Sequence, residues 1–269
     1  MKIILNKKKL AKIIYNERNL GFVPTMGALH KGHVSLIKKS IYQCNKTLVT
    51  IYINKPQFNK KNDYNKYPRS IKKDIALLKK LKVDILYIPT TKQIYPNGPN
   101  KKIKIHKFGK KLCGRFRSGH FEAIADVVDR FIKIIKPKKI YFGEKDFQQL
   151  KIIDFFVRKN YPRVKVVPCK TIRESNGIAF SSRNTLLNLR EKAVASKIYN
   201  YIKRNKKNII NKKILINYIK SKMIKFGVNK IDYIKPLNVN KLIKPYKQKN
   251  KFKIFIAYYL KSTRLIDNI

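Results

Sequence analysis

At 269 residues, with 43% hydrophobic residues, 16 tyrosines and 14 phenylalanines, the chain can bury one large core or two smaller ones. Its 65 Lys and Arg against 14 Asp and Glu give a formal charge of +51. Lysine supplies most of that charge and runs along the whole chain, from Lys7 to Lys251, together with abundant Ile, Asn and Tyr. Such a spread reads as A/T-rich coding with a solvated basic surface. It argues against a specific nucleic-acid face, which would gather arginine and aromatic residues in one stripe. Three cysteines without paired spacing suit a reducing cytoplasm better than a disulfide framework. No apolar run approaches the roughly 18 residues of a membrane span, and the N-terminus has no cleavage signature, so the expectation is a soluble cytoplasmic protein.

In chain order, MKIILNKKKLAKII reads as a short strand and a helix. Apolar runs at residues 21–24, 47–53, 83–88, 139–142 and 164–167 predict strands. Between them, residues 33–44, 70–81, 121–135 and 147–159 repeat their apolar positions every three or four residues, as amphipathic helices do. Strands alternating with helices of this length need crossover connections. The result is a doubly wound α/β domain around a parallel sheet. Val23, Val49 and Ile51 lie in near-continuous apolar runs, as strands covered on both faces should. Near Thr171 the texture changes: a polar turn, two lysine-rich helical patterns, and strand-like segments at 229–234 and 252–259. This predicts a domain of residues 1–171 followed by a smaller α+β domain of residues 172–269.

The stretch FVPTMGALHKGH, residues 22–33, holds two of the chain's four histidines. A parallel strand ending at Val23 and Pro24 delivers it to the sheet edge where ligands bind. Gly27 and Gly32 allow close backbone approach, and a helix starting near Gly32 points N–H groups outward. His30 and His33 then stand about one turn apart on an anion-binding terminus, where imidazoles can donate to phosphate oxygens as charge develops. A structural histidine pair remains an alternative; a zinc site would need further ligands that the scattered cysteines do not offer. Asn54 and Gln57 follow the next strand and can fix hydroxyls or a carboxylate, or form an ordinary polar turn. Gly143, Glu144, Lys145 and Asp146 follow strand 139–142, and Gln148 and Gln149 open the next helix. Ser181, Ser182 and Arg183 form a workable phosphate clamp.

Taken together, PTMGALHKGHVSL, INKPQF, YPR, LCGRFRSGHF, GEKDFQQL, IRESNGIAFSSRN and TRLIDN resemble the pantothenate synthetase (pantoate–β-alanine ligase) family, from about Gly21 to Asn268. That family belongs to the HIGH-type nucleotidyltransferases. The resemblance implies ATP- and Mg²⁺-dependent joining of pantoate to β-alanine through a pantoyl adenylate, with release of pyrophosphate and then AMP. It implies a cytoplasmic homodimer with a Rossmann-like first domain and a C-terminal lid. His33 would be the catalytic histidine, with His30 assisting. ATP contacts would come from Met26, Gly27, Ala28, Leu29, His30, Lys31, Gly32 and His33, and from Gly143, Glu144, Lys145 and Asp146. Ile172 would meet adenine through its backbone, and Phe180, Ser181, Ser182 and Arg183 would close over the phosphates. Gln57 would touch pantoate and β-alanine, and Gln149 pantoate. No fixed metal site in the protein is implied.

The sequence departs from the family pattern in several places. Lys55 and Pro56 precede Gln57 where the family usually reads Pro and then a variable residue. Ser118 replaces a proline, Ala123 a glycine and Phe180 an aliphatic residue, and Lys261 stands where glycine is common. None removes a group the chemistry requires. Two rival readings are another HIGH-type nucleotidyltransferase acting on a different acid, and a basic nucleic-acid-binding protein.

Overall fold

The structure, a computed structural model, describes residues 1–242 and 252–269. The chain divides into two compact units: residues 1–144 with 148–170, and residues 145–147 with 171–269.

The first unit is built on six strands, β1 (Lys2–Ile4), β2 (Leu20–Thr25), β3 (Lys46–Ile51), β4 (Ile85–Tyr87), β5 (Lys139–Gly143) and β6 (Lys165–Cys169). They lie in the order β1-β4-β3-β2-β5-β6, and every pairing is parallel. Neighbouring residues of one strand point to opposite faces, yet Phe22 and Val23, Leu48 and Val49, and Ile140 and Tyr141 are all fully buried. Both faces are therefore covered, as a Rossmann-like sheet requires. Helix His120–Ile135 buries Phe121, Ile124, Val128, Phe131 and Ile135 along one stripe. Its Phe131 ring sits 5.5 Å from Phe22, and burying each such ring stabilises the fold by about 1.5–3 kcal/mol. Helix Lys31–Gln43 packs so close to β2 that a Cβ at Gly21 would lie 2.2 Å from Ser40 Oγ.

From β2 the chain moves outward through β3 and β4, then crosses back to lay β5 and β6 on the other side of β2. The strand order thus reverses between β2 and β5, the position at which open α/β sheets hold ligands. The pairing there is short. β2 and β5 are in register only at Gly21 with Lys139 and Phe22 with Ile140, whereas β2–β3 runs on to Thr25 with Ile51. The β5–β6 pairing likewise continues to Gly143 with Cys169. The carboxyl ends of the two central strands are therefore not zipped to each other.

The second unit has helices Leu189–Arg204 and Ile216–Lys225 and an antiparallel sheet of β7 (Lys230–Asn238), β8 (Phe252–Leu260) and β9 (Thr263–Asn268). Asn188 and Glu191 close a capping box at the start of the first helix. Ile198, Ile202, Ile219 and Met223 pack with Ile254 and Ile256 in its core.

Element boundaries differ from the sequence expectations in three instructive places. Helix Lys31–Gln43 begins two residues before position 33, because His30 serves as its N-cap. β3 stops at Ile51 rather than 53, since the chain turns into a short 3₁₀ segment, Lys55–Gln57. β9 has no predicted counterpart. It follows a two-residue turn whose first residue, Lys261, has φ +48° without the glycine that advertises such turns.

Candidate active site

β2 carries Thr25 to the sheet edge, and Thr25 Oγ1 both donates to Thr50 O and accepts from Gly27 N. The chain then bends through two left-handed residues, Gly27 at φ +80° and Ala28 at +49°. A carboxylate from another helix holds that bend. Asp74, only 3% exposed on helix Ile71–Lys80, accepts from Ala28 N and Leu29 N at 2.8 Å each, and from Ser70 Oγ at 3.1 Å. The Ala28 and Leu29 amides are therefore already engaged by Asp74. Asp74 was invisible to sequence reading, which saw only one polar position of an amphipathic helix.

His30 ends the loop. Its Nδ1 accepts from Gly32 N at 3.1 Å, which fixes the neutral ring as the Nε2–H tautomer. The His33 ring lies against it, centroids 4.0 Å apart and tilted by 33°. Two imidazoles at a helix N-terminus, next to the reversal of strand order, form a donor set suited to a phosphate.

β3 leads into Asn54 and Gln57. Asn54 is 2% exposed. Its Nδ2 donates to Gln57 Oε1 and to Ala123 O, each at 3.1 Å, and its Oδ1 accepts from Tyr95 Oη at 2.7 Å. Burial holds the Tyr95 phenol protonated far above its usual range, so that donor persists. Both Asn54 N–H groups are thus engaged by protein, one of them on the Gln57 amide oxygen. Gln57, half-buried, donates from Nε2 to Met26 Sδ at 3.2 Å. Sulfur is a weak acceptor that a substrate oxygen readily replaces.

Beyond β5, Gly143 and Glu144 belong to the first unit, and a Cβ at Gly143 would meet no described atom within 4 Å. Lys145, Asp146 and Phe147 group with the second unit. There Asn268, 4% exposed, donates to Lys145 O at 2.8 Å, and the Phe147 ring lies 5.8 Å from Phe255. Asp267, beside it, forms a forked pair with Arg173 at 2.6 and 2.9 Å, while the Arg173 guanidinium stacks 4.3 Å over Tyr199. The TRLIDN and IRESNG motifs thus meet in one network that also holds the Lys145 carbonyl. In the same unit Phe180 N donates to Ile172 O, Ser181 Oγ accepts from Arg183 N, and Ser182 is buried.

The two glutamines of GEKDFQQL separate in role. Gln148 is 6% exposed, accepts from Cys113 N, and donates to Phe108 O and Lys111 O. It anchors the loop before helix His120–Ile135, whereas Gln149 is half-buried.

A doubly wound parallel sheet, with paired histidines on a helix start beside its reversal point, is the frame of a nucleotide-dependent transfer enzyme. The sequence model of the Pantoate-beta-alanine ligase family matches residues 2–269. A pantothenate synthetase of Pseudothermotoga lettingae is 36% identical over 278 residues, covering 100% of this chain and 97% of that protein. One from Endomicrobium trichonymphae is 38% identical over 277 residues, with the same coverage. The crystal structure of pantothenate synthetase from Thermus thermophilus superposes with TM-score 0.89 at 28% identity, covering 100% and 99% of the two chains. The Francisella tularensis pantoate-beta-alanine ligase, complexed with Beta-gamma ATP and Beta-alanine, does so at 0.87 with 36% identity, covering 100% and 97%. The chain belongs to the pantoate–β-alanine ligase family.

Proposed function

We propose that this chain makes pantothenate from pantoate, β-alanine and ATP, and that the site of the first unit works as follows. A pantoate carboxylate oxygen attacks the α-phosphorus of ATP, and pyrophosphate leaves. The β-alanine amine then attacks the acyl carbon of the pantoyl adenylate, loses a proton, and expels AMP. The first step concentrates negative charge on phosphate oxygens, and preorganised donors that need not rotate stabilise it most. His33 and His30 are such donors, and the Met26–Gly32 loop that presents them is braced by Asp74. Gln57 orients pantoate and receives β-alanine, and Gln149 adds a second pantoate contact. Gly143 and Glu144 line the nucleotide side of the sheet edge. Lys145, Asp146, Ile172, Phe180, Ser181, Ser182 and Arg183 are carried over from the family resemblance as further nucleotide contacts.

The observation that carries this reading is the contact of the Gln57 amide with Met26 Sδ. It joins the residue best suited to a carboxylate or hydroxyl to the loop that ends in the histidine pair. Mg²⁺ would be bound together with the triphosphate and would neutralise part of its charge. Among the described residues no three His, Cys, Asp or Glu side chains gather for a metal. The family resemblance further supports a cytoplasmic homodimer, which sedimentation would refute by returning the monomer mass. No helix of the described residues is long and apolar enough to cross a membrane. Incubation with ATP, pantoate and β-alanine, and with each omitted in turn, tests the function. Pantothenate and AMP should appear only in the complete mixture, and AMP formation independent of pantoate would refute it.

A further inference from the structure

The backbone of Gln57 is clamped from the side opposite its amide. Its carbonyl oxygen lies 2.8 Å from His120 Nδ1 and 3.1 Å from Arg117 Nη2, while Arg117 Nη1 lies 2.9 Å from His120 Nε2. The hydrogens can be placed by elimination. A carbonyl only accepts, so His120 Nδ1 carries a proton; a guanidinium only donates, so His120 Nε2 is a lone pair. The three groups close a ring, and the two bonds to His120 together leave it neutral with its tautomer fixed. His120 is 7% exposed at the first turn of helix His120–Ile135, next to Gly119, whose φ is +73°. That helix also supplies Ala123 O, which holds Asn54, which in turn holds Gln57 Oε1. One helix thus grips Gln57 twice, at its carbonyl directly and at its amide through Asn54.

We infer that His120 and Arg117 are positioning residues, which set the Gln57 amide for the organic acid and the amine without touching either. Pro56 and the 3₁₀ turn Lys55–Gln57 leave this segment few backbone bonds of its own. A free turn would let the Gln57 amide swing by more than the tolerance of a productive substrate pose. The inference rests on the reading that Gln57 contacts pantoate, and the test separates the two.

The variants are Gln57→Ala, His120→Ala, His120→Asn and the double Gln57→Ala/His120→Ala, each followed by steady-state kinetics in ATP and in pantoate. His120→Ala should lower kcat/KM for pantoate about 10–100-fold, the scale of losing the bonds that hold one buried polar group. The KM for ATP should stay within about twofold. His120→Asn, whose amide can still donate to the Gln57 carbonyl, should recover most of the loss. In the Gln57→Ala background, His120→Ala should add less than about twofold, because nothing remains to be positioned. Equal damage in both backgrounds, or equal damage to ATP and pantoate, would overturn the inference while leaving Gln57 as a substrate contact. A harmless Gln57→Ala would instead remove that underlying reading. If His120→Ala does not fold, Arg117→Lys takes its place. It keeps the charge but loses the fork, and the same pantoate-selective loss, absent without Gln57, is required of it.

Discussion

Replacing Asp74 by Asn tests how the Met26–Gly32 loop is held. The carboxylate accepts two backbone amides at 2.8 Å, from Ala28 and Leu29, and one hydroxyl, from Ser70. Asparagine has the same shape but one acceptor fewer. Whichever way its amide turns, one backbone N–H faces a donor in a site that is 3% exposed in the parent. Leaving a buried donor unsatisfied costs about 1–3 kcal/mol, and converting the other bond from charged to neutral costs about 1 kcal/mol more. The loop cannot recover this by relaxing, because Ala28 already sits at φ +49°, a region that itself costs a non-glycine residue about 1 kcal/mol. The expected loss is about 2–4 kcal/mol, or roughly 4–7 °C in Tm at this chain length. The KM for ATP should rise more than the KM for pantoate. Thermal unfolding followed by circular dichroism, with kinetics on the folded fraction, measures both. A Tm within about 2 °C of the parent, with ATP dependence unchanged, would refute the bracing role.

His33→Ala should slow formation of the adenylate roughly 10²–10³-fold, the scale for one preorganised transition-state donor. It should still transfer the acyl group of synthetic pantoyl adenylate to β-alanine, and equal damage to both half-reactions would reduce His33 to a structural residue. Lys151 is 1% exposed, and burial pushes its ammonium down to about 8 from 10.5. Between those values the unfolded chain holds a proton that the folded one lacks, so the folded state gains stability as pH rises through that window. Lys151→Met should therefore be about 1–3 kcal/mol more stable than the parent at pH 7, with the margin shrinking toward pH 10; a margin independent of pH would sink this. Lys261→Gly should stabilise the second unit by about 0.5 kcal/mol, the relief of a left-handed residue less the added chain entropy of glycine. Its amide keeps the 2.6 Å bond to Asn229 Oδ1 in either case, and a lower denaturation midpoint would contradict the turn assignment.

The sheet was legible because burial on both faces leaves near-continuous apolar runs, and the helices because one apolar stripe repeats at a helical period. The paired histidines and Gln57 stand after β2 and β3, as the strand pattern implies. What stayed hidden is carried by contacts far apart in sequence. Asp74 meets Leu29 from 45 residues away, and Asn268 meets Lys145 from 123. Periodicity reports only which face of a helix is apolar, so a buried carboxylate that grips a distant loop looks like any solvated position. Gln148 and Asn54 were equally opaque: sequence does not show that their amide donors meet the carbonyls of Phe108, Lys111 and Ala123 and the Gln57 amide oxygen. Lys261 is a further case, since β9 is an ordinary strand whose turn carries lysine at a left-handed position.

The central claim is that the pantoate carboxylate attacks the α-phosphorus, and isotope tracing tests it most directly. Pantoate labelled with ¹⁸O in its carboxylate is converted with unlabelled ATP and β-alanine, and the nucleotide and phosphate products are analysed by mass spectrometry. Attack at the α-phosphorus followed by expulsion of AMP predicts one ¹⁸O in AMP and none in pyrophosphate. Label in inorganic phosphate with release of ADP would mean attack at the γ-phosphorus and would contradict the account.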